Sequence, residues 1–270
     1  MVMRMKISEI LEYTEFRSFL NRAKTVKTLL IGDICTDIYW SCDMTKSRLS
    51  RETPHFPLPV VRERMSLGAG GNAAGCIKSL GVSDLSVIGM VRNDWRGECL
   101  RRLLAERGIP DDSVITERTG FTNAYIKPMK FGFSGEEVES AAALGKTPDR
   151  NADISEYALL AKELSDKMGS GVCMTVGDKG SITVNGSAKL IPAVAIKPPF
   201  DVVGAGDCFL SAFSTAVAAG FPFEKAALFG NMASSIVVKK IGTTGSASPE
   251  ELETTYAERE VNSEKGIMNI

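Results

Sequence analysis

The alternation of short apolar runs with longer amphipathic stretches constrains this chain more than any other feature. Thr28-Leu29-Leu30-Ile31 is a brief apolar run that ends in Gly32-Asp33. That pattern predicts a strand buried on both faces of a parallel sheet, its carboxyl end turned to a ligand crevice. Residues 8–23 before it carry Ile10, Leu11, Phe16, Phe19 and Leu20 at helical spacing. After it, residues 68–75 lead into a helix ending near Leu80-Gly81, residues 85–91 read as a second buried strand, and Asp94 caps a helix running to Gly108. Further on, residues 125–130 read as extended, 134–145 as a short helix and 154–168 as a longer one. Residues 171–177 form a strand with 181–184 as its hairpin partner. Residues 205–220 and 224–239 read as two long apolar helices, and 249–257 as a third. Such an order predicts an α/β fold with a mainly parallel central sheet.

Residues 37–65 break the pattern, with Tyr39, Trp40, Pro54, Pro57 and Pro59 among polar residues and a short alternating stretch at 58–62. This reads as strands of a small β flap, or lid, over residues 36–64. No Pro/Gly/Ser-rich linker, low-complexity stretch or internal repeat divides the 270 residues, so one domain spanning 1–270 is expected.

Lys and Arg number 32 against 33 Asp and Glu, a formal net charge of −1, which leaves no global basic field for nucleic acid or an anionic membrane. The six cysteines are scattered without CxxC spacing, which predicts buried, reduced thiols and a reducing compartment. Residues 1–13 lack a long apolar segment or cleavage site, and other apolar runs are too short to cross a bilayer. A cytoplasmic location is the expectation.

One segment can do chemistry on phosphate. In Asp201-Val202-Val203-Gly204-Ala205-Gly206-Asp207, the glycines let backbone N–H groups turn inward at the start of an apolar helix, where the helix dipole also favours anions. Asp207 would lie in the first turn, beside a transferred phosphate, and could orient or deprotonate a nucleophile. The competing reading is a loop whose Asp merely caps a helix. Residues 68–75 also invite comparison with a dinucleotide-binding turn, but the spacing misses G-x-G-x-x-G and no acidic ribose partner is placed suitably.

Asp201–Asp207 matches in full the D-x-x-G-A-G-D core of the ribokinase-like (PfkB) carbohydrate kinases, which the chain resembles. That family's N-terminal glycine signature is matched by Gly70-Gly71-Asn72-Ala73-Ala74, followed by Leu80-Gly81, the stretch Ile88-Gly89-Met90-Val91-Arg92-Asn93-Asp94, and Gly97. The resemblance implies a ribokinase-like three-layer α/β fold, an ATP- and Mg²⁺-dependent sugar kinase, Asp207 as catalytic base and the amides of Gly204, Ala205 and Gly206 beside the phosphoryl group. It implies that Asp33, Asp37, Gly70, Gly71 and Asn72 hold the sugar, with a helix N-cap as the other reading of Asn72. Thr175, Gly177, Gly180, Asn231, Gly242 and Ser246 match positions near the nucleotide. Taken alone, residues 175–181 read as a hairpin turn and a helical Asn231 as solvated or capping. Asp201 resembles a monovalent-cation (potassium) position of some relatives, and flap edges in such kinases often pair in homodimers.

Within the family, Gly32-Asp33-x-x-x-Asp37-x-Tyr39-Trp40 and Ser47-Arg48-Leu49-Ser50-Arg51-Glu52-x-Pro54 look most like the heptose-phosphate kinases of ADP-heptose synthesis. Arg48 and Arg51 could then meet a phosphate already on the sugar, or be solvated flap residues. The chain departs from the family around residues 130–136, where several tens of residues, including strand-helix units and an Asn-x-x-Glu motif for magnesium, have no counterpart. Glu136-Glu137-Val138-Glu139 is the nearest remnant, with Glu139 either the motif's glutamate, holding magnesium through water, or an ordinary acid near a helix start.

Overall fold

A computed structural model describes residues 4–54, 57–129, 153–263 and 265–270. In chain order the elements are β1 (Met5–Lys6), α1 (Tyr13–Ala23), β2 (Lys27–Ile31), β3 (Ile34–Cys42), β4 (Val60–Ala69), α2 (Gly70–Ser79), β5 (Asp84–Ile88), β6 (Met90–Arg92), α3 (Trp95–Glu106), β7 (Ile115–Glu117) and β8 (Ala124–Met129). There follow α4 (Ile154–Met168), β9 (Val172–Thr175), β10 (Gly180–Asn185), β11 (Ser187–Pro192), α5 (Ala205–Ala218), α6 (Phe223–Val237), α7 (Pro249–Glu258), β12 (Glu260–Val261) and β13 (Met268–Asn269). The expected helices and strands occur with ends shifted by a few residues. The helix expected over 134–145 lies outside the described residues.

The chain divides into two compact units, each discontinuous in sequence: one of Met1–Thr28, Cys76–Asp84 and Glu136–Ile270, the other of Leu29–Gly75 and Leu85–Gly135.

The first unit is built on helices. α1 buries Phe16, Phe19, Leu20 and Ala23, four residues on one face, as its spacing predicts. Phe19 stacks on Phe229 of α6 with ring centroids 3.9 Å apart, and Phe16 on Tyr256 of α7 at 4.5 Å. The Tyr256 hydroxyl, otherwise stranded in this core, donates to the Leu11 carbonyl at 2.9 Å. α7 starts on a reciprocal cap: the Glu251 amide donates to Ser248 Oγ, and the Ser248 amide to Glu251 Oε2. The order β13-β11-β10-β9 gives an antiparallel four-stranded sheet, with β10 and β11 joined through a tight turn at Gly186.

The second unit contains the parallel pairings, β6 with β7 and β3 with β8, and an antiparallel pairing of β3 with β4. The order β4-β3-β8 makes a three-stranded sheet from the expected flap together with β8. Asp94 caps α3, accepting from the Gly97 amide at 2.8 Å, and the same carboxylate takes the Thr122 amide and hydroxyl at 2.8 and 2.7 Å. Burial opposes the Asp94 charge, but the Thr122 and Gly97 bonds outweigh it and hold its carboxyl below the usual aspartate range.

The first strand departs from expectation. β2 is not buried on both faces: Leu29 is 55% exposed and Ile31 69%, because β2 pairs only with β5 among the described residues and one face of that pair stands open. The cysteines are free thiols, five of them buried. Burial pushes the thiols of Cys35 and Cys173 up to about 12, so neither ionises near neutrality.

Candidate active site

In the first unit, the turn leading into α5 is fixed by its backbone. Gly204 is the N-cap residue with φ 80°, a left-handed conformation that glycine adopts without strain. A Cβ at Gly204 would lie 2.7 Å from Thr244 Cγ2, so the turn and the loop over 242–246 pack with no room for a side chain. Asp201 binds both segments: its Oδ1 accepts the Val203 amide at 3.1 Å and its Oδ2 the Gly242 amide at 2.9 Å. Ser234 of α6 donates to the Ala205 carbonyl at 2.9 Å, anchoring the first turn of α5 from behind. The far end of the 242–246 loop is held by Lys240, whose Nζ donates to the Ser246 carbonyl at 2.6 Å and pairs with Glu251, and by Ser79, bonded to Ser246 Oγ at 2.8 Å.

Ala205, Gly206 and Asp207 thus form the first turn of α5, where helix geometry leaves amides without intrahelical acceptors and the dipole is positive. Asp207 is partly exposed in that turn. Backbone donors and a carboxylate at one helix start can stabilise an anion and accept a proton.

The other first-unit residues gather around the end of β11. Gly180 opposes Pro192 in register, and a Cβ there would sit 2.1 Å from the Ile191 carbonyl oxygen. Asn231 is buried and donates from Nδ2 to the Ile191 and Pro192 carbonyls at 3.2 and 3.1 Å. Its amide nitrogen therefore ties α6 to β11, and Asn231 is neither solvated nor a helix cap. Thr175 and Gly177 are exposed on the adjoining turn, and Gly242 is exposed on its loop.

In the second unit, the Asp33 carbonyl accepts the Gly70 amide at 2.9 Å, and a Cβ on Gly70 would fall 2.7 Å from that oxygen. Only glycine fits this approach. Ala69, the residue before it, has φ 48°, a strained value for a residue with a side chain. Because α2 begins at Gly70, Asn72 lies inside its first turn: the N-cap reading is corrected. Gly71 is buried against Leu67. Asp33 is exposed and accepts from Asn123 Nδ2 at 3.0 Å.

Asp37 is buried, with its side chain 6% exposed, and pairs with Lys127 Nζ at 2.8 Å while Tyr39 donates its hydroxyl at 3.3 Å. Burial works against the Lys127 ammonium, yet the bond to Asp37 and its charge outweigh this and raise the Lys127 pKa. Sequence reasoning missed Lys127 and Asn123, which lie ninety residues from their partners with no motif around them. Arg48 and Arg51, singled out for phosphate, lie exposed between β3 and β4. Glu139 lies outside the described residues, and among the described residues no cluster of three His, Cys, Asp or Glu could hold a metal ion.

Residues 133–251 match the model of the pfkB family carbohydrate kinases, which are phosphotransferases with hydroxyl acceptors. Among curated proteins, the chain is 24% identical to the bifunctional protein HldE of Citrifermentans bemidjiense over 343 residues, covering 96% of this chain and 69% of that protein. It is 27% identical to the HldE of Sulfurimonas denitrificans, covering 81% and 62%. The chain spans about two thirds of the length of these relatives. An alignment of 343 residues exceeds the 270 of this chain, so it includes stretches with no counterpart here. Among solved structures, the ribokinase of Thermotoga maritima superposes with TM-score 0.68 at 17% identity, covering 86% of this chain and all of that one. The Arabidopsis thaliana ribokinase complexed with ribose and ATP gives 0.67 at 16%, covering 86% and 98%. The resemblance to pfkB carbohydrate kinases and the ribokinase-like α/β fold drawn from the sequence are thus both found.

Proposed function

We propose that this chain transfers the γ-phosphoryl group of ATP to a hydroxyl of a sugar or sugar phosphate, with a heptose phosphate as the first candidate. The observation that carries this reading is Asp207 in the first turn of α5, behind a left-handed Gly204 and a loop held by Asp201.

Asp207 takes the proton of the acceptor hydroxyl as its oxygen bonds to the γ-phosphorus and the bond from that phosphorus to the β,γ-bridging oxygen breaks, leaving ADP. The amides at the start of α5 meet the charge that builds on the equatorial oxygens. Asp33, Asp37 and the turn at Gly70, Gly71 and Asn72 hold the sugar; carboxylates accept from hydroxyls, and glycines let a ligand approach the backbone. Thr175, Gly177, Gly180 and residues 242–246 flank the nucleotide. Asn231 acts there through the β11 carbonyls it holds.

Glu139 is the residue proposed to hold, through water, a magnesium ion that would neutralise part of the charge on the ATP phosphates. Asp201 donates no proton and serves to orient two loops, a role compatible with carbonyl ligation of potassium nearby. A cytoplasmic location belongs to this reading as a proposal, and among the described residues no helix is long and apolar enough to cross a membrane. Pairing of two copies through the flap sheet is proposed by analogy with such kinases.

A second reading, a catalytically silent sugar-phosphate or nucleotide sensor, is motivated by the stretches of the relatives that have no counterpart here. ADP release with a panel of heptose phosphates, hexoses and nucleosides separates the two. For the kinase, Asp207→Asn is expected to lower kcat by roughly 10²–10⁴-fold with ATP binding retained. No ADP release on any acceptor, with ATP binding intact, would favour the sensor.

A further inference from the structure

The carboxylate of Asp33 is exposed, and among the described residues one donor reaches it: Asn123 Nδ2, 3.0 Å from Oδ1. Asn123 is exposed as well. A hydrogen bond between two solvated groups adds little to stability, because water would satisfy both of them. Its effect is to fix a direction, provided that both partners stand on rigid backbone.

Both partners do. Asn123 lies between Thr122 and the first residue of β8. The Thr122 amide and hydroxyl donate to Asp94, and the same hydroxyl accepts the Arg92 amide of β6 at 2.8 Å. The Asn123 carbonyl accepts the Thr36 amide at 3.2 Å, and Ala124 then opposes Thr36 in register. On the other side, the Gly32 amide donates to the Ile88 carbonyl of β5 at 3.1 Å, and the Asp33 carbonyl accepts the Gly70 amide at the start of α2 at 2.9 Å. The main chain is therefore pinned at both ends of the bond.

With Oδ1 engaged, Asp33 Oδ2 and Asn123 Oδ1 accept from no described residue, and Asn123 Nδ2 keeps one N–H. Two acceptors and one donor suit hydroxyl groups, which both donate and accept. A freely turning aspartate would offer its oxygens in many directions, and a ligand would have to order it. An aspartate already held by an amide spares the ligand that cost.

We infer that Asn123 is a positioning residue for the acceptor: by holding Oδ1 of Asp33 it aims Oδ2 at a hydroxyl of the sugar. The inference rests on the kinase reading above, in which Asp33 holds the sugar, and adds to it a residue outside every sequence motif of the site.

The test is steady-state kinetics of the full chain with ATP and the acceptor turned over fastest among the heptose phosphates, hexoses and nucleosides of the panel. Asn123→Ala is expected to raise KM for that acceptor by about ten-fold, change kcat by less than about three-fold and leave KM for ATP unmoved. Asp33→Ala should raise the same KM at least as far. The double variant should go no further than Asp33→Ala alone, because an amide that acts through Asp33 has no role once the carboxylate is gone. Asn123→Asp keeps the side-chain shape and loses the donor, so it should match or exceed the loss in Asn123→Ala, and it carries the test if the alanine variant does not fold. KM within about two-fold of wild type in both Asn123 variants, or single effects that multiply in the double variant, would overturn the inference while the kinase reading stands. So would a fall in kcat and a raised KM for ATP accompanying a lowered Tm, which would make Asn123 structural only. If no acceptor is turned over, the kinase reading falls and calorimetry with the same panel decides. A sugar bound by the wild type and more weakly by Asn123→Ala keeps the positioning role; a sugar bound equally by both, or no sugar bound, sinks it too.

Discussion

The turn before α5 and the face of the flap sheet are held in place by different means. At the turn, nearly every constraint falls on the backbone: a left-handed Gly204, the amides of Val203 and Gly242 on Asp201, and the Ala205 carbonyl on Ser234. On the flap sheet, side chains do the holding, with Asp37, Lys127, Tyr39 and Arg64 in mutual contact across three strands. The turn keeps its shape through backbone groups bonded to two side chains, the Asp201 carboxylate and the Ser234 hydroxyl. A side-chain cluster can change its charge by single substitutions.

The comparison breaks most readily at Gly204. Alanine there meets both a left-handed φ and a Thr244 methyl 2.7 Å from its Cβ, so Gly204→Ala is expected to destabilise by about 3 kcal/mol, read as a Tm lowered by several degrees. A melt unchanged within error would show the turn to be loosely built after all.

Lys127→Met probes the opposite construction. It leaves a buried Asp37 with only the Tyr39 hydroxyl, and because the lysine side chain is 38% exposed the loss is discounted to about 2 kcal/mol. A raised folded pKa means that the contribution is complete below the unfolded lysine value near 10.4 and disappears as pH rises through the folded value. The gap between wild type and variant should therefore be flat across neutral pH and close in strong base. A gap that closed in mild acid instead would assign the stabilisation to another group.

The smallest effect is expected at Asp94, where one carboxylate joins a helix start to Thr122 by both kinds of constraint. Its folded pKa is lowered, so its contribution is present above the unfolded aspartate value near 3.9 and lost as pH falls through the folded value. Asp94→Asn should lose about 1 kcal/mol at neutral pH and nothing in strong acid, as measured by urea midpoints at a series of pH values. An equal deficit at every pH would assign the loss to cap shape, with no part for charge.

These two constructions also explain what the sequence could disclose. The turn before α5 was legible because backbone geometry dictates residue type at fixed spacing: glycine where φ is positive, aspartate where loop amides converge. Gly70 stood out in the sequence as part of a glycine-rich turn matched by resemblance; its close approach to the Asp33 carbonyl is visible only in the structure. Lys127 was not, because a lysine in an extended stretch is compatible with any solvated strand, and only the parallel register of β8 on β3 brings it to Asp37. For Asn231 the structure overturns only the reading as solvated or capping, since a helical asparagine gives no sign that two carbonyls of β11 await it. The open face of β2 escaped as well: an apolar run reports what a strand prefers, not whether anything covers it.

Ala69 draws a last consequence from the turn into α2. With φ 48° it holds a conformation that the methyl group disfavours by roughly 1–2 kcal/mol, and glycine would release that strain. Glycine would also turn residues 68–71 into four consecutive glycines, enlarging the freedom of the unfolded chain by an amount worth about 0.4–1 kcal/mol. The two changes have opposite signs and similar size. A single methyl group thus exchanges comfort in the folded turn for restraint in the chain that has yet to fold, and the position is close to thermodynamic indifference between the two residues.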